Sequence, residues 1–211
     1  MKVIVSAGPT FEDIDPARFI GNRSSGKMGF AIAAEAARRG AEVLLVAGPV
    51  HLPTPEGVTR IDVRSAAHMH EAVTSALPAS IYIGAAAVAD FTPQTFSSTK
   101  LKKQTGSETL TLELVRTRDI LADVAAHALR PRRVVGFAAE TNDIEHYARG
   151  KLAAKRIDMI CANRVGMAGS GFEADDNTLQ VFWKDGDATL GPAPKADIAV
   201  LLLDLIDKEL A

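Results

Sequence analysis

The chain has 211 residues, 47% hydrophobic and 24% charged, with a net charge of −2; that suits one domain over 1–211, with a core large enough to stand without staples. The near-neutral charge excludes a global basic field for nucleic acid, and no run approaches the roughly 18 apolar residues of a membrane span. The one cysteine, Cys161, excludes an internal disulfide framework and points to a reducing compartment, so a soluble cytoplasmic protein is expected.

Residues 1–7 are short, apolar and run straight into Gly8-Pro9, which reads as a first strand over 2–7 and not as a leader peptide. Further strand-like runs lie at 42–47, 58–63, 80–84, 133–138 and 157–161, and helix-like runs at 26–39, 66–77, 119–128, 143–155 and 195–209. Such alternation predicts βαβ units around a mainly parallel sheet, an α/β Rossmann-like fold with helices on both faces. Ser24 or Ser25 is placed to cap the first helix, and Gly40 to stop it. The last helix follows Pro192 and Pro194 and gathers Ile198, Leu201, Leu202, Leu205 and Ile206 on one face. Residues 92–107 break the pattern with a polar, Ser/Thr-rich stretch of a length that is usually functional or unstructured. Residues 108–116 and, after the Gly-rich 166–171, residues 178–183 read as late strands forming a small antiparallel extension outside the main sheet.

Five segments carry candidate chemistry. GNRSSGKMG (21–29) approaches a P-loop, but Met28 stands where Ser or Thr would hold magnesium, and FEDIDPARFI separates it from the first strand, so that reading is excluded. Its small residues at a helix start suit a phosphate or carboxylate, and suit an ordinary capped helix equally well. GAAAVAD (84–90) ends a strand with small residues and Asp90, which admits a ligand close to the backbone or simply close helix packing. Lys100, Lys102 and Lys103 would neutralise phosphates if the loop closes; alone they read as a solvated run. GFAAET (136–141) precedes a helix with Lys151 and Lys155 on one face, and Phe137 is either a base platform or a core residue. Asn163 ends the strand at 157–161, to read a ligand edge or to make a turn. The five histidines lack metal-ligand spacing, and Cys161 reads as packing.

A nicotinamide-dependent oxidoreductase is disfavoured, because SAGPT lacks the G-x-G-x-x-G spacing and Tyr147 with Lys151 has no dinucleotide turn to partner. A non-catalytic nucleotide-binding subunit would keep the phosphate turn without the lysine cluster.

Taken in order, SAGPTFEDIDPARFIGNRSSGKMGFAIA, AGPVHLPTP, AAAVADFTP, KLKK, GFAAET and ICANRV…GFEADDN resemble the phosphopantothenoylcysteine synthetase family, the C-terminal half of the bifunctional bacterial coenzyme A biosynthesis flavoprotein. The resemblance spans nearly the whole chain. It implies a ligase that joins 4′-phosphopantothenate to cysteine through an acyl-cytidylate, using CTP and Mg2+, and a homodimer formed through the β extension. It implies substrate contacts for Asn22, Ala86, Ala87 and Asp90, with Arg18 reaching into the neighbour's site. Nucleotide contacts fall to Ser24, Gly26, Gly29, Gly84, Ala85, Ala86, Asp90, Lys100, Asp119, Ile120, Phe137, Lys151, Lys155 and Asn163. Asn22 and Lys100 are the expected catalytic pair. Thr117-Arg118 stands where bacterial relatives usually carry Asn-Pro, ahead of a retained Asp119-Ile120. A phosphopantothenoylcysteine decarboxylase, separate or fused, is the expected partner.

Overall fold

The apolar, β-branched runs become strands of one sheet because both of its faces are covered by helices. The computed structural model describes residues 1–102, 108–164 and 174–210; Lys103 and the Gly-rich stretch 166–171 lie outside the described residues. The first half comprises β1 (Lys2–Ala7), β2 (Phe11–Asp15), β3 (Arg18–Gly21), α1 (Lys27–Arg38), β4 (Glu42–Ala47), β5 (Val58–Asp62), α2 (Ala66–Ser75) and β6 (Ile81–Gly84). Then come β7 (Phe91–Pro93), β8 (Leu114–Arg116), α3 (Ile120–Ala126), β9 (Arg133–Glu140), α4 (Ile144–Lys155) and β10 (Met159–Arg164). The last three are β11 (Asp176–Trp183), β12 (Gly186–Pro194) and α5 (Lys195–Glu209).

Among the described residues, eight strands form the main sheet, in the order β12-β11-β10-β9-β6-β1-β4-β5. The six from β5 to β10 are parallel, and β11 and β12 add an antiparallel edge. The chain first builds outward from β1 through β4 to β5, then returns to β1's other side with β6. That reversal opens a crevice at the carboxyl ends of β1 and β6, where open α/β sheets bind ligands.

Strand alternation sorts the core into two layers. Val3, Val5, Leu45, Ile83, Val135 and Cys161 point toward α1 and α5. Ile4, Val46, Tyr82, Val134 and Ile160 point toward α2, α3 and α4. Full burial of each large aliphatic side chain contributes about 1.5–3 kcal/mol. Burial also pushes the Cys161 thiol well above its usual pKa, so this cysteine packs as a small apolar residue.

Two expectations need correction. The run at 178–183 does not stand outside the sheet: β11 pairs with β10 and, through a tight turn, with β12. Of 108–116, only Leu114–Arg116 is strand, pairing with Phe91–Pro93. The small antiparallel extension is instead β2–β3 and β7–β8, two separate two-stranded sheets.

Candidate active site

The crevice at the β1–β6 reversal is a cleft of about 690 Å³, within the size range of small-molecule sites. Its floor is a buried polar pair, Ser6 on β1 and Tyr82 on β6, whose hydroxyl oxygens are 3.0 Å apart. Burial pushes the Tyr82 phenol up to about 12, so it remains a hydrogen-bond donor at any working pH.

One wall is the start of α1. Neither serine caps it, contrary to expectation. The N-cap is Gly26, in a left-handed conformation with φ 76° and no side-chain cap bond. Only glycine adopts that turn without strain. Its consequence is chemical: Ser24, Ser25, Gly26 and Gly29 line the cleft with small side chains and backbone, and the Ser24 hydroxyl accepts from the Gly26 amide at 3.4 Å. This is the arrangement that receives an anion. Gly29 explains how α1 comes so close. A Cβ there would lie 2.5 Å from the Ala7 Cβ and 3.5 Å from the Ala85 Cβ.

The facing wall is the stretch after β6, which the sequence assigned to a strand end. The strand itself stops at Gly84, and the stretch beyond is knitted to the loop after β1. Ala87 N–H donates to the Gly8 carbonyl at 2.9 Å, and Ala89 N–H donates to the buried Thr10 hydroxyl at 3.0 Å. Thr117 then holds both ends of the neighbouring turn, its amide donating to the Asp90 carbonyl at 3.0 Å and its hydroxyl to the Ala89 carbonyl at 2.6 Å. The brace comes from Thr117 alone: asparagine at that place would keep the amide bond to Asp90, but its side chain has a different reach from the hydroxyl that holds the Ala89 carbonyl.

Asn22 links the two walls. Its Nδ2 donates to the Ala87 carbonyl, and its Oδ1 accepts from the Ser24 amide at 3.0 Å. The far end of the cleft gathers Asp119, Phe137, Lys151, Lys155 and Asn163. Asp119 caps α3 by accepting from the Ala122 amide at 3.0 Å, and its other oxygen pairs with Lys155 at 2.7 Å. Lys151 pairs with Glu140 at 2.7 Å. Phe137 sits inside β9, half-buried against the core, and still lines the cleft. Core packing and a cleft face are both true of it.

Of the sequence-predicted residues, the cleft brings together Asn22, Ser24, Gly26, Gly29, Gly84, Ala85, Ala86, Ala87, Asp90, Asp119, Ile120, Phe137, Lys151, Lys155 and Asn163. Arg18, Lys100 and Lys102 are exposed and do not line it. The reason is a clamp. The buried Asp15 carboxylate accepts from Arg18 Nε at 3.0 Å and from the Leu101 amide at 3.0 Å, and Arg18 also donates to the Leu101 carbonyl at 2.8 Å. The Arg18 guanidinium holds the Asp15 carboxyl well below the usual carboxylate range, against the opposing effect of burial.

Sequence reasoning missed several lining residues: Ser6, Tyr82, Lys27, Asn177 and Lys195. It missed the β2–β3 hairpin too, although Asp15-Pro16 marked its turn. In that turn the Asp15 side chain accepts from the Ala17 and Arg18 amides at 2.8 and 2.9 Å. Among the described residues, no three His, Cys, Asp or Glu side chains converge to hold a metal ion, and no helix is long and apolar enough to cross a membrane.

The chain matches the DNA/pantothenate metabolism flavoprotein C-terminal domain family over residues 1–210. It is 52% identical to the coenzyme A biosynthesis bifunctional protein CoaBC of Vibrio cholerae serotype O1, over 99% of this chain and 53% of that protein. It is 51% identical to the protein of the same name from Escherichia coli strain K12, over 98% of this chain and 51% of that protein. The chain thus spans about half the length of the curated relatives it matches. A crystal structure of the C-terminal domain of a CoaBC protein superposes with a TM-score of 0.83 at 38% identity, covering 99% of this chain and 95% of that one. The chain belongs to the DNA/pantothenate metabolism flavoprotein C-terminal domain family.

Proposed function

We propose that the chain is a phosphopantothenoylcysteine synthetase, a ligase acting in coenzyme A biosynthesis. One observation carries the reading: the switch-point cleft pairs an anion-receptive helix start with an amide, Asn22, braced between the two walls. The relatives named above, all coenzyme A biosynthesis proteins, support it.

A carboxylate is a poor electrophile and must be activated. The phosphopantothenate carboxylate attacks the α-phosphate of CTP, giving an acyl-cytidylate and pyrophosphate. The cysteine amine then attacks the acyl carbon, and CMP leaves. The protein's work is positioning and charge stabilisation. Asn22 would hold the acyl oxygen through the second hydrogen of its Nδ2, the first being given to the Ala87 carbonyl. Phe137, Asp119, Lys151 and Lys155 offer the base a ring face, a carboxylate and two ammonium groups at the far end. Lys100 closes on the triphosphate, which requires the segment beside Leu101 to move from its position next to Asp15. Magnesium neutralises phosphate charge in such reactions; it usually keeps one or two carboxylates alongside substrate phosphates. The exposed Asp90 in the cleft fits that donor set, and no dedicated protein cage is needed.

A homodimer is part of the proposal. Phe19 on β3, Phe91 on β7 and Leu114 on β8 are 46%, 46% and 43% exposed on the two small sheets. These exposed apolar side chains are the ones a partner copy would cover. A cytoplasmic setting, and a phosphopantothenoylcysteine decarboxylase as a separate or fused partner, complete it.

The test is pyrophosphate release by purified protein with magnesium, 4′-phosphopantothenate and CTP or ATP, with and without cysteine, with products identified by mass. Cysteine-dependent CMP and phosphopantothenoylcysteine from CTP support the proposal. Turnover with ATP alone overturns the cytidylate step, and release of neither product overturns the ligase.

A further inference from the structure

Lys195 has no role in the scheme above. It is the first residue of α5, it lines the cleft, and it is only 7% exposed. Three local effects oppose an ammonium at that position. Burial removes its hydration. The positive end of the α5 dipole faces it. Lys27, on the first turn of α1, adds a second positive charge nearby. Burial first, and then the Lys27 charge, pull the Lys195 pKa below the usual lysine value, while Asp175 partly restores it. A buried lysine kept beside another lysine, in a cleft, is a feature of sites that receive anions.

A carbonyl and a carboxylate are among the groups that meet these ammoniums. Lys195 Nζ donates to the Ala174 carbonyl. Lys27 Nζ pairs with the Asp175 carboxylate at 2.6 Å, and that carboxylate is 88% exposed. The 174–176 segment is tied to the start of α5 by the Lys195 amide, which donates to the Asp175 carbonyl at 3.0 Å. Asp175 can therefore turn its carboxylate to water with little cost in hydration, and its backbone stays put.

We propose that Lys195 and Lys27 form a subsite for a phosphoryl dianion beside the α1 start, and that Asp175 occupies it as a stand-in carboxylate until the ligand arrives. The subsite is an addition to the synthetase reading and rests on it for the ligands tried. Two sources carry the chemistry: the 4′-phosphate of phosphopantothenate, and the triphosphate of the nucleotide. Lys195→Met keeps side-chain length and removes the charge. Asp175→Asn removes the competing carboxylate and keeps the fold of its segment.

The experiment is calorimetric binding of 4′-phosphopantothenate, pantothenate, CTP and CMP to the wild type and both variants, beside wild-type turnover. Loss of a charged hydrogen-bond partner predicts about a 10- to 100-fold weaker dissociation constant in Lys195→Met. If the loss falls on phosphopantothenate and spares pantothenate, the 4′-phosphate is the occupant. If it falls on CTP and spares CMP, the triphosphate is. Asp175→Asn should tighten the same ligand several-fold. An equal loss for all four ligands marks Lys195 as structural and overturns the inference, as does affinity within twofold of wild type. Should Lys195→Met fail to fold, the Asp175→Asn arm decides: unchanged affinity for both phosphorylated ligands overturns the proposal. A wild type that binds these ligands through the subsite without forming product would overturn the synthetase reading instead, and leave the subsite standing.

Discussion

Replacing Gly29 with alanine is expected to separate stability from catalysis. The added Cβ would sit 2.5 Å from the Ala7 Cβ and 3.2 Å from the Ala7 Cα, where ordinary contact begins near 3.4 Å. The third heavy atom nearby belongs to Ala85, across the cleft floor. Neither side is the end of a flexible side chain, so α1 or β1 must move by roughly 1 Å. Overpacking of this kind costs about 1–3 kcal/mol, while alanine for glycine within a helix returns about 1 kcal/mol. The net is a destabilisation of roughly 0–2 kcal/mol, or a fall in Tm of up to about 8 °C for a chain of this size. The catalytic effect is larger. A 1 Å displacement of a positioning element is worth on the order of 100-fold in rate, and the element displaced here is the anion-receptive helix start. Gly150 provides the control. It lies in α4 with nothing within 4 Å of its notional Cβ, so Gly150→Ala should gain about 0.5–1 kcal/mol and keep kcat/KM. Thermal unfolding and steady-state kinetics with CTP, phosphopantothenate and cysteine check both. A Gly29→Ala variant that gains stability as Gly150→Ala does, with kcat/KM within twofold of wild type, would refute the close packing of α1 on β1.

Lys100→Gln should slow acyl-cytidylate formation by ten-fold or more while leaving the fold intact, because the lysine is exposed; unchanged pyrophosphate release from this variant would remove Lys100 from the mechanism. Asn22→Asp turns a donor toward the Ala87 carbonyl into a carboxylate, so transfer to cysteine should fall more than activation does, read as acyl-cytidylate accumulating in a single-turnover experiment; normal product formation would contradict the brace. Glu35 on α1 accepts from Arg38 Nε at 2.6 Å and Arg39 Nε at 2.7 Å, and Arg39 reaches Asp204 on α5 at 2.8 Å. The Arg38 hydrogen bond, with Arg39 aiding and burial opposing, lowers the Glu35 pKa from 4.5 to about 2. A depressed folded value means the contribution is complete above 4.5 and is lost as pH falls toward 2. Glu35→Gln should thus cost about 1–3 kcal/mol at neutral pH, with the gap to wild type closing over that acid range in denaturant titrations; a gap independent of pH would show the cost to be packing.

Much of this protein is legible in its sequence. The VIV within KVIVSA and the VLLVA within EVLLVA are unbroken apolar runs, as a short strand buried on both faces requires, and their alternation with alanine-rich helices points to a parallel sheet. The small-residue stretches around Gly26 and Ala86 mark where backbone must approach a ligand, and ordered together they carry the family likeness. Pairing, by contrast, is not written locally. The two-residue turn Lys184-Asp185 before Gly186 closes β11 onto β12, yet which edge the hairpin joins depends on β10 being free to receive it. Capping was misread because serine side chains are good caps in isolation, whereas the packing of Gly26 beside Gly8, with its notional Cβ 3.4 Å from the Gly8 Cα, demands a left-handed glycine at that place. Lys195 shows the division most clearly. It lies near the end of the chain and Lys27 near the start, and each alone reads as a solvated charge on a helix. Only the strand order, which lays the start of α5 beside the start of α1, brings two ammoniums to one cleft, because charge acts through space and not along the chain.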